Sequence, residues 1–217
     1  MAKQLKGGYT TGACLAAGAK AGAMIMQGED IGDRVDIVAL DGTPLQIPIA
    51  SVELLAHGVK VEIIKDAGDD PDITNGTSVF ITFSFLTQEQ LQPVYGQSIL
   101  YKQILFEAGQ GIGHATKPGL SLAVGEPAIN PGPRQLVYNS IKDIIGDKAC
   151  LVRVDIPAGT ELATKTLNPV LGIEGGISVI GTTGVLRPMS EEAFKNSLVP
   201  QIEVAKAAGF TTQIFVP

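Results

Sequence analysis

The chain has 217 residues, a formal net charge of −6 and a composition 45% hydrophobic and 18% charged, enough for one large globular domain or for one domain and part of a second. Only 5% of the residues are aromatic, none is Trp, and no cluster of Lys or Arg forms a stripe, so neither phosphate tracking nor base stacking on a nucleic acid is expected. The 26 Gly and 13 Pro fall without period between hydrophobic runs, which excludes a collagen-like or disordered chain, and no apolar span reaches membrane length or has the density of a signal-peptide core.

The first predicted element is a helix over residues 11–27, TGACLAAGAKAGAMIMQ, with Thr10 or Thr11 as N-cap. Its Ala and Gly content predicts that another element packs closely against it. Strands follow at 34–40 and 45–49, joined by the Asp41-Gly42 turn into a hairpin. Residues 58–65 read as a strand with Val59, Val61 and Ile63 on one face, and 78–85 as its successor. The stretch 86–99 carries no readable pattern, and 100–106 and 111–116 read as strand or mixed structure. A helix is predicted from Pro133 to Gly146, then a strand over 149–157 and a short polar segment from Gly159 to Asn168. Residues 172–185 combine a glycine-rich turn, a short apolar strand from Ile177 to Ile180 and a Thr-Thr-Gly turn. A last helix is expected from Ser190 to Ala208, with Pro200 as a kink and Gly209 as its stop, and then a strand over 211–216. A helix and strand without a successor predict the start of a truncated second α/β domain, so the domains are 1–188 and 189–217; the alternative is that the strand pairs back into the first sheet. The fold class is α+β, a mixed β-sheet with packed helices.

Chemistry-bearing groups are few. Cys14 and Cys150 lie in apolar stretches and read as buried free thiols in a reducing cytoplasm, and with His57 and His114 far apart no metal site is expected. The densest polar feature is Lys65-Asp66-Ala67-Gly68-Asp69-Asp70-Pro71-Asp72-Ile73-Thr74-Asn75-Gly76, at the end of a strand. Crowded carboxylates repel, which would raise a pKa and suit proton transfer; they would also suit a hard cation, or simply cap a solvated turn. Gly8-Tyr9-Thr10-Thr11-Gly12 and Gly181-Thr182-Thr183-Gly184 echo one another, each near a predicted helix start. Hydroxyls and N–H groups there would receive a carboxylate or phosphate, or would only cap a helix. The glycines around Glu174-Gly175-Gly176 allow close backbone approach to a ligand or make a tight turn. Lys117 and Asn130 sit in proline-shaped loops, and Arg134 and Arg187 have the geometry to clamp carboxylates. With an acidic chain, an anionic ligand must rely on such local donors. The residues alone name no reaction.

Six stretches occur together in order: GYTTGAC at 8–14, KDAGDDPDITNG at 65–76, TKPGL at 116–120, VGEPAINPGPR at 124–134, KTLNPVLGIEGGISVIGTTGVLRPMSEEA at 165–193 and QIEVAKAAG at 201–209. In this the chain resembles the cobalamin-biosynthesis protein D family (CbiD), the cobalt-precorrin-5B C(1)-methyltransferases. The resemblance implies methyl transfer from S-adenosylmethionine to C-1 of a cobalt-tetrapyrrole, with cobalt present only within the substrate. It implies a cytoplasmic enzyme that binds no nucleic acid and no membrane, with a homo-oligomer left open. It also implies a main domain similar to the second domain of a ribosomal small-subunit protein, circularly permuted. On that reading Asp66, Asp69 and Asp70 are candidates for the proton acceptor. Thr10, Thr11, Lys117, Asn130, Arg134, Thr182, Thr183 and Arg187 are candidates for the substrate's carboxylates, and Glu174, Gly175 and Gly176 for the methyl donor. Family members continue past Pro217, so the alternative is a module that binds the tetrapyrrole without methylating it.

Overall fold

The computed structural model describes residues 5–188 and 190–214, apart from the side chains of residues 192, 193 and 196. The chain begins with β1 (Gly8–Tyr9), α1 (Thr11–Met26), β2 (Arg34–Val38), β3 (Pro44–Pro48), β4 (Ser51–Leu55), β5 (Gly58–Ile64) and β6 (Ser78–Leu86). It continues through β7 (Ser98–Tyr101), β8 (Ile104–Ala108), β9 (His114–Ala115), α2 (Pro131–Ile145) and β10 (Ala149–Asp155). Short elements follow: α3 (Gly159–Ala163), α4 (Asn168–Leu171), β11 (Ile173–Glu174) and β12 (Val185–Leu186), before α5 (Glu191–Ala207). Among the described residues no helix is long and apolar enough to cross a membrane.

The central sheet has six strands in the order β4-β5-β6-β10-β8-β7. It is mixed: β8 and β10 run parallel and all other neighbours antiparallel. A parallel pair needs a long crossover, and here the connection from β8 to β10 carries α2. One face of the sheet is dry. Val59, Val61 and Ile63 align with Phe83, Ile81 and Val79, and Phe83 and Ile81 align in turn with Val152 and Val154. All of these are at most 1% exposed. The opposite face carries Lys60, Thr82, Arg153 and Glu107 in one register row.

Helix α1 lies on the dry face. Thr10 is extended (φ −78°, ψ 166°) and its Oγ1 accepts from the Ala13 amide, which caps the helix as the sequence predicts. Every residue from Thr11 to Ala19 is buried, the signature of a helix enclosed on all sides. The sheet covers one side, α2 a second, and the β2–β3 hairpin, through Val35, Ile37 and Ile47, a third. The small residues make this approach fit. A Cβ on Gly18 would stand 2.4 Å from Ile81 Cδ1, and one on Gly22 would stand 2.5 Å from Phe83 Cβ. Cys14 and Cys150 are free and buried, and burial pushes both thiols up to about 12, so they stay protonated at neutral pH.

Several boundaries differ from the sequence expectation. Strand β4 went unpredicted because all five of its residues are exposed on a sheet edge and show no alternation. The 100–106 run is two strands, broken by a turn in which Lys102 takes φ 56°. Helix α2 starts at Pro131, with Asn130 as N-cap, two positions before the expected Pro133. Ile177–Ile180 is not a strand: it makes only isolated parallel bridges, Ile112 to Ile177 and Ile129 to Val179. Residues 211–214 of the expected last strand are not strand, and 215 and 216 lie outside the described residues.

Replacement of Gly22 by Ala tests the helix–sheet approach. At an unconstrained helix site this change adds about 1 kcal/mol of helix propensity. Here Phe83 Cβ is held by its strand, so a loss of about 1–3 kcal/mol is expected from overpacking. The urea unfolding midpoint reads the sign directly.

Candidate functional site

The acidic loop connects β5 to β6, and its backbone closes through Lys65 N to Thr77 O (3.0 Å) and Gly76 N to Lys65 O (2.8 Å). Inside it Asp66 Oδ1 accepts from Gly68 N at 2.8 Å and Asn75 Oδ1 from Ala67 N at 2.9 Å. Asp72 Oδ1 accepts both the amide and the hydroxyl of Thr74, while its Oδ2 takes the Lys65 ammonium at 2.9 Å. Lys65 is 2% exposed, so its charge is enclosed with this one ionic partner. Among the described residues Asp70 alone of the four loop carboxylates has no side-chain partner: Asp66 pairs with Lys6 Nζ at 2.6 Å, and Asp69 Oδ2 accepts from Lys6 N at 2.8 Å.

At Asp66 and Asp72 the electrostatics run against the expectation that crowding raises a carboxylate pKa. The Lys6 ammonium and the Gly68 amide hold the Asp66 carboxyl below its ordinary value. Burial pushes Asp72 up, but Thr74 and Lys65 together outweigh it and the net shift is downward. Cations and amides are interleaved among the carboxylates, so Asp66, Asp69 and Asp72 each meet a donor.

The N-terminal segment lies against this loop. Tyr9 N donates to Asp66 O (2.9 Å) and Tyr9 OH to Ile64 O (2.8 Å). A Cβ on Gly8 would come within 2.3 Å of the Ala67 backbone. On its other side β1 pairs antiparallel with β12, so Tyr9 stands opposite Val185 and the two Thr-Thr-Gly turns meet. The second turn caps no helix of its own. It lies across the starts of α1 and α2, where Ile180 O accepts from Gly12 N at 2.9 Å and Gly181 O would be 2.6 Å from a Cβ on Gly132. Thr10 and Thr11 are buried and engaged: Thr10 caps α1, and Thr11 Oγ1 accepts from Ile180 N at 3.0 Å. Thr183 Oγ1 accepts from Val185 N, whereas Thr182 is exposed with no hydrogen bond among the described residues.

The two candidate arginines differ in exposure. Arg134 is 7% exposed; its Nε donates to Ile129 O at 2.6 Å and its guanidinium pairs with Glu126 at 3.2 Å, which ties α2 to the preceding loop. Arg187 is exposed and pairs with Asp41 at 2.8 Å. Asn130 caps α2 by position only, with no side-chain cap bond. Lys117 is remote from this group and reaches Val170 O at 3.0 Å. Glu174, Gly175 and Gly176 also form a separate group: Gly176 packs on the Gly111 backbone, and Glu174 accepts from Thr116. The structure thus gathers Thr10, Thr11, Asp66, Asn130, Arg134, Thr182 and Thr183 around two helix starts, and places Lys117 and Glu174–Gly176 elsewhere. A depression of about 1070 Å3 lies between the β2–β3 hairpin and α2, outside all the motifs.

The sequence profile of CbiD matches residues 1–188. The chain belongs to the CbiD family. A relative from Methanocaldococcus jannaschii is 45% identical over 216 residues, which covers 99% of this chain and 56% of the relative. Another, from Desulfitobacterium hafniense, is 42% identical over 212 residues, covering 98% and 52%. Both are named cobalt-precorrin-5B C(1)-methyltransferase. The crystal structure of the cobalamin biosynthesis protein CbiD from Archaeoglobus fulgidus shares the fold, with a TM-score of 0.61 at 24% identity over 90% of this chain and 59% of that one. The chain spans about half the length of the curated relatives it matches.

Within this CbiD chain, sequence reading gave no role to the residues that hold the acidic loop: Lys6, Tyr9, Lys65 and Asp72. The signal that was available is Lys65 itself, a charge in phase with the inward-facing Val59, Val61 and Ile63 and followed seven positions later by Asp72. Among the described residues no group of three or more His, Cys, Asp or Glu is placed to hold a metal ion.

Asp72→Asn leaves the Lys65 ammonium buried without its counter-charge, so a loss of about 3–5 kcal/mol is expected. Because the folded Asp72 pKa lies below its ordinary value, the unfolded chain binds more protons in acid. The stabilisation is complete above the ordinary pKa of 3.8 and is lost as pH falls through the lower folded value. Urea unfolding from pH 7 down to pH 3 should show a steeper acid decline in the parent protein than in the variant.

Proposed function

We propose that this chain carries out, or forms the tetrapyrrole-binding half of, methyl transfer from S-adenosylmethionine to C-1 of cobalt-precorrin-5B. The observation that supports this is 42–45% identity over nearly the whole chain to relatives that bear that activity in their names. In this reaction a C–C bond forms at the ring carbon as the donor's C–S bond breaks, with its electron pair left on sulfur, and the ring gives up a proton. The protein's task is orientation of the two reactants and reception of that proton.

The geometry favours Asp70 as acceptor over the other two candidates, since Asp66 and Asp69 are held by Lys6. Carboxylates of the macrocycle would be received by Thr182, Asn130 and Arg187, with Thr183 shaping the turn and Lys117 at a distance. Thr10, Thr11 and Arg134 serve by holding the two helix starts in place. A cytoplasmic location, self-association, a main domain over 1–188 with a second beginning at 189, and a permuted likeness to a ribosomal-protein domain all belong to this reading.

The test is anaerobic incubation of the chain with cobalt-precorrin-5B and S-adenosylmethionine. A tetrapyrrole one methyl group heavier is the expected product; a folded protein that neither shifts the substrate's visible spectrum nor methylates it overturns the reading. Asp70→Asn should lower the methylation rate by about 100-fold or more while the spectral shift and the unfolding midpoint stay unchanged.

A further inference from the structure

His114 and Thr116, which meet Glu174 across a short ladder, form one wall of a site that the sequence did not assemble. β9 and β11 pair antiparallel with Glu174 opposite His114, so both side chains leave the same face of the ladder. Thr116 lies two positions beyond His114, and its Oγ1 donates to Glu174 Oε1 at 3.1 Å. Residues 124–127 run along the other edge of β9, with Gly125 N donating to Ala115 O at 2.7 Å and Ala115 N to Glu126 O at 2.9 Å. Over that edge lies Tyr95, 81% exposed. A Cβ on Gly125 (φ +87°) would stand 2.1 Å from Tyr95 Cζ, so the ring sits where only glycine admits it. Tyr95, Gly96, Gln97, His114, Thr116 and Gly125 line a pocket of about 510 Å3. That size is ordinary for a small-molecule site.

The chemistry of the walls selects a ligand class. An exposed aromatic face beside glycine backbone is a stacking platform for a planar heterocycle. Among the described residues the His114 imidazole and Glu174 Oε2 make no hydrogen bond, which leaves a carboxylate oxygen and a ring nitrogen for ligand hydroxyls. No Lys or Arg lines the pocket, and the Glu174 carboxylate lies opposite His114 and bonded to Thr116, two of its lining residues, so a phosphate or a polycarboxylate is disfavoured and a cationic ligand is favoured. We propose that this pocket binds the adenosyl group of a sulfonium methyl donor, with the purine on Tyr95 and the ribose hydroxyls on Glu174. The proposal rests on the methyl-transfer reading above, and it adds Tyr95 and His114 to a site for which the sequence suggested only Glu174–Gly176.

Equilibrium dialysis of labelled S-adenosylmethionine against the intact chain tests it without need of turnover. Saturable binding is expected, weakened about tenfold by Tyr95→Ala and by Glu174→Gln, kept within about twofold by Tyr95→Phe, and unchanged by Gln46→Ala in the wide groove. Tyr95 is exposed, so its variants are expected to fold, and circular dichroism checks this. Absence of binding in the parent chain, or equal binding in the Tyr95→Ala and Glu174→Gln variants, overturns the assignment. If the parent methylates the tetrapyrrole while both variants keep its KM for the donor, the pocket is wrong and the reaction stands. If the donor binds here as predicted but no tetrapyrrole is methylated, the reaction reading fails and the pocket stands.

Discussion

The rest of the structure depends on how closely α1 approaches the sheet. Gly18 and Gly22 meet Ile81 and Phe83 at distances no side chain would permit, and Ala fills most of the remaining positions. A helix that close is enclosed on every side, so its N-terminus is fixed relative to the ends of β5 and β6 as firmly as one strand is fixed to the next. Dispersion and burial hold the helix; the small residues decide where it is held.

That placement produces the polar cluster. With α1 fixed, the segment that enters it must pass over the acidic loop, and Gly8 is there because backbone meets backbone. The same constraint brings the turn at 180–184 across two helix starts, where a peptide carbonyl satisfies the Gly12 amide. Hydroxyls that look from sequence like ligand donors are thereby divided: Thr10 and Thr11 are consumed by the fold, and Thr182 is left to solvent. Beneath them Lys65 and Asp72 form a buried pair whose worth lies less in net stability than in fixing one loop conformation.

Charge is laid out by region. In the acidic loop Asp66 pairs with Lys6 and Asp72 with Lys65, on the outer sheet face Arg153 bridges Glu107 and Asp155, and at the start of α2 Arg134 pairs with Glu126. The pocket under Tyr95 is lined by no Lys or Arg, and the Glu174 carboxylate lies across the ladder from its His114. The two groups of motifs are separate in this fold.

Local pattern determined a good deal by itself. Alternation in 58–65 and 78–85, the cap at Thr10 and the small-residue helix that follows are short-range properties, and they appear in the structure where the sequence puts them. Family membership was legible too, because it rests on ordered motifs rather than on contacts. What sequence could not determine were the pairings. Strand β4 has no buried face to impose a period, and the Ile177–Ile180 run is apolar because it crosses the core, not because it joins a ladder. The Lys6–Asp66 pair, the meeting of the two Thr-Thr-Gly turns 169 residues apart at Thr11 and Ile180, and the Tyr95–His114 pocket all join segments distant in sequence. Tertiary packing decided them, because whether a polar group is spent on the fold or left for a ligand depends on what lies against it, and no local window contains that neighbour.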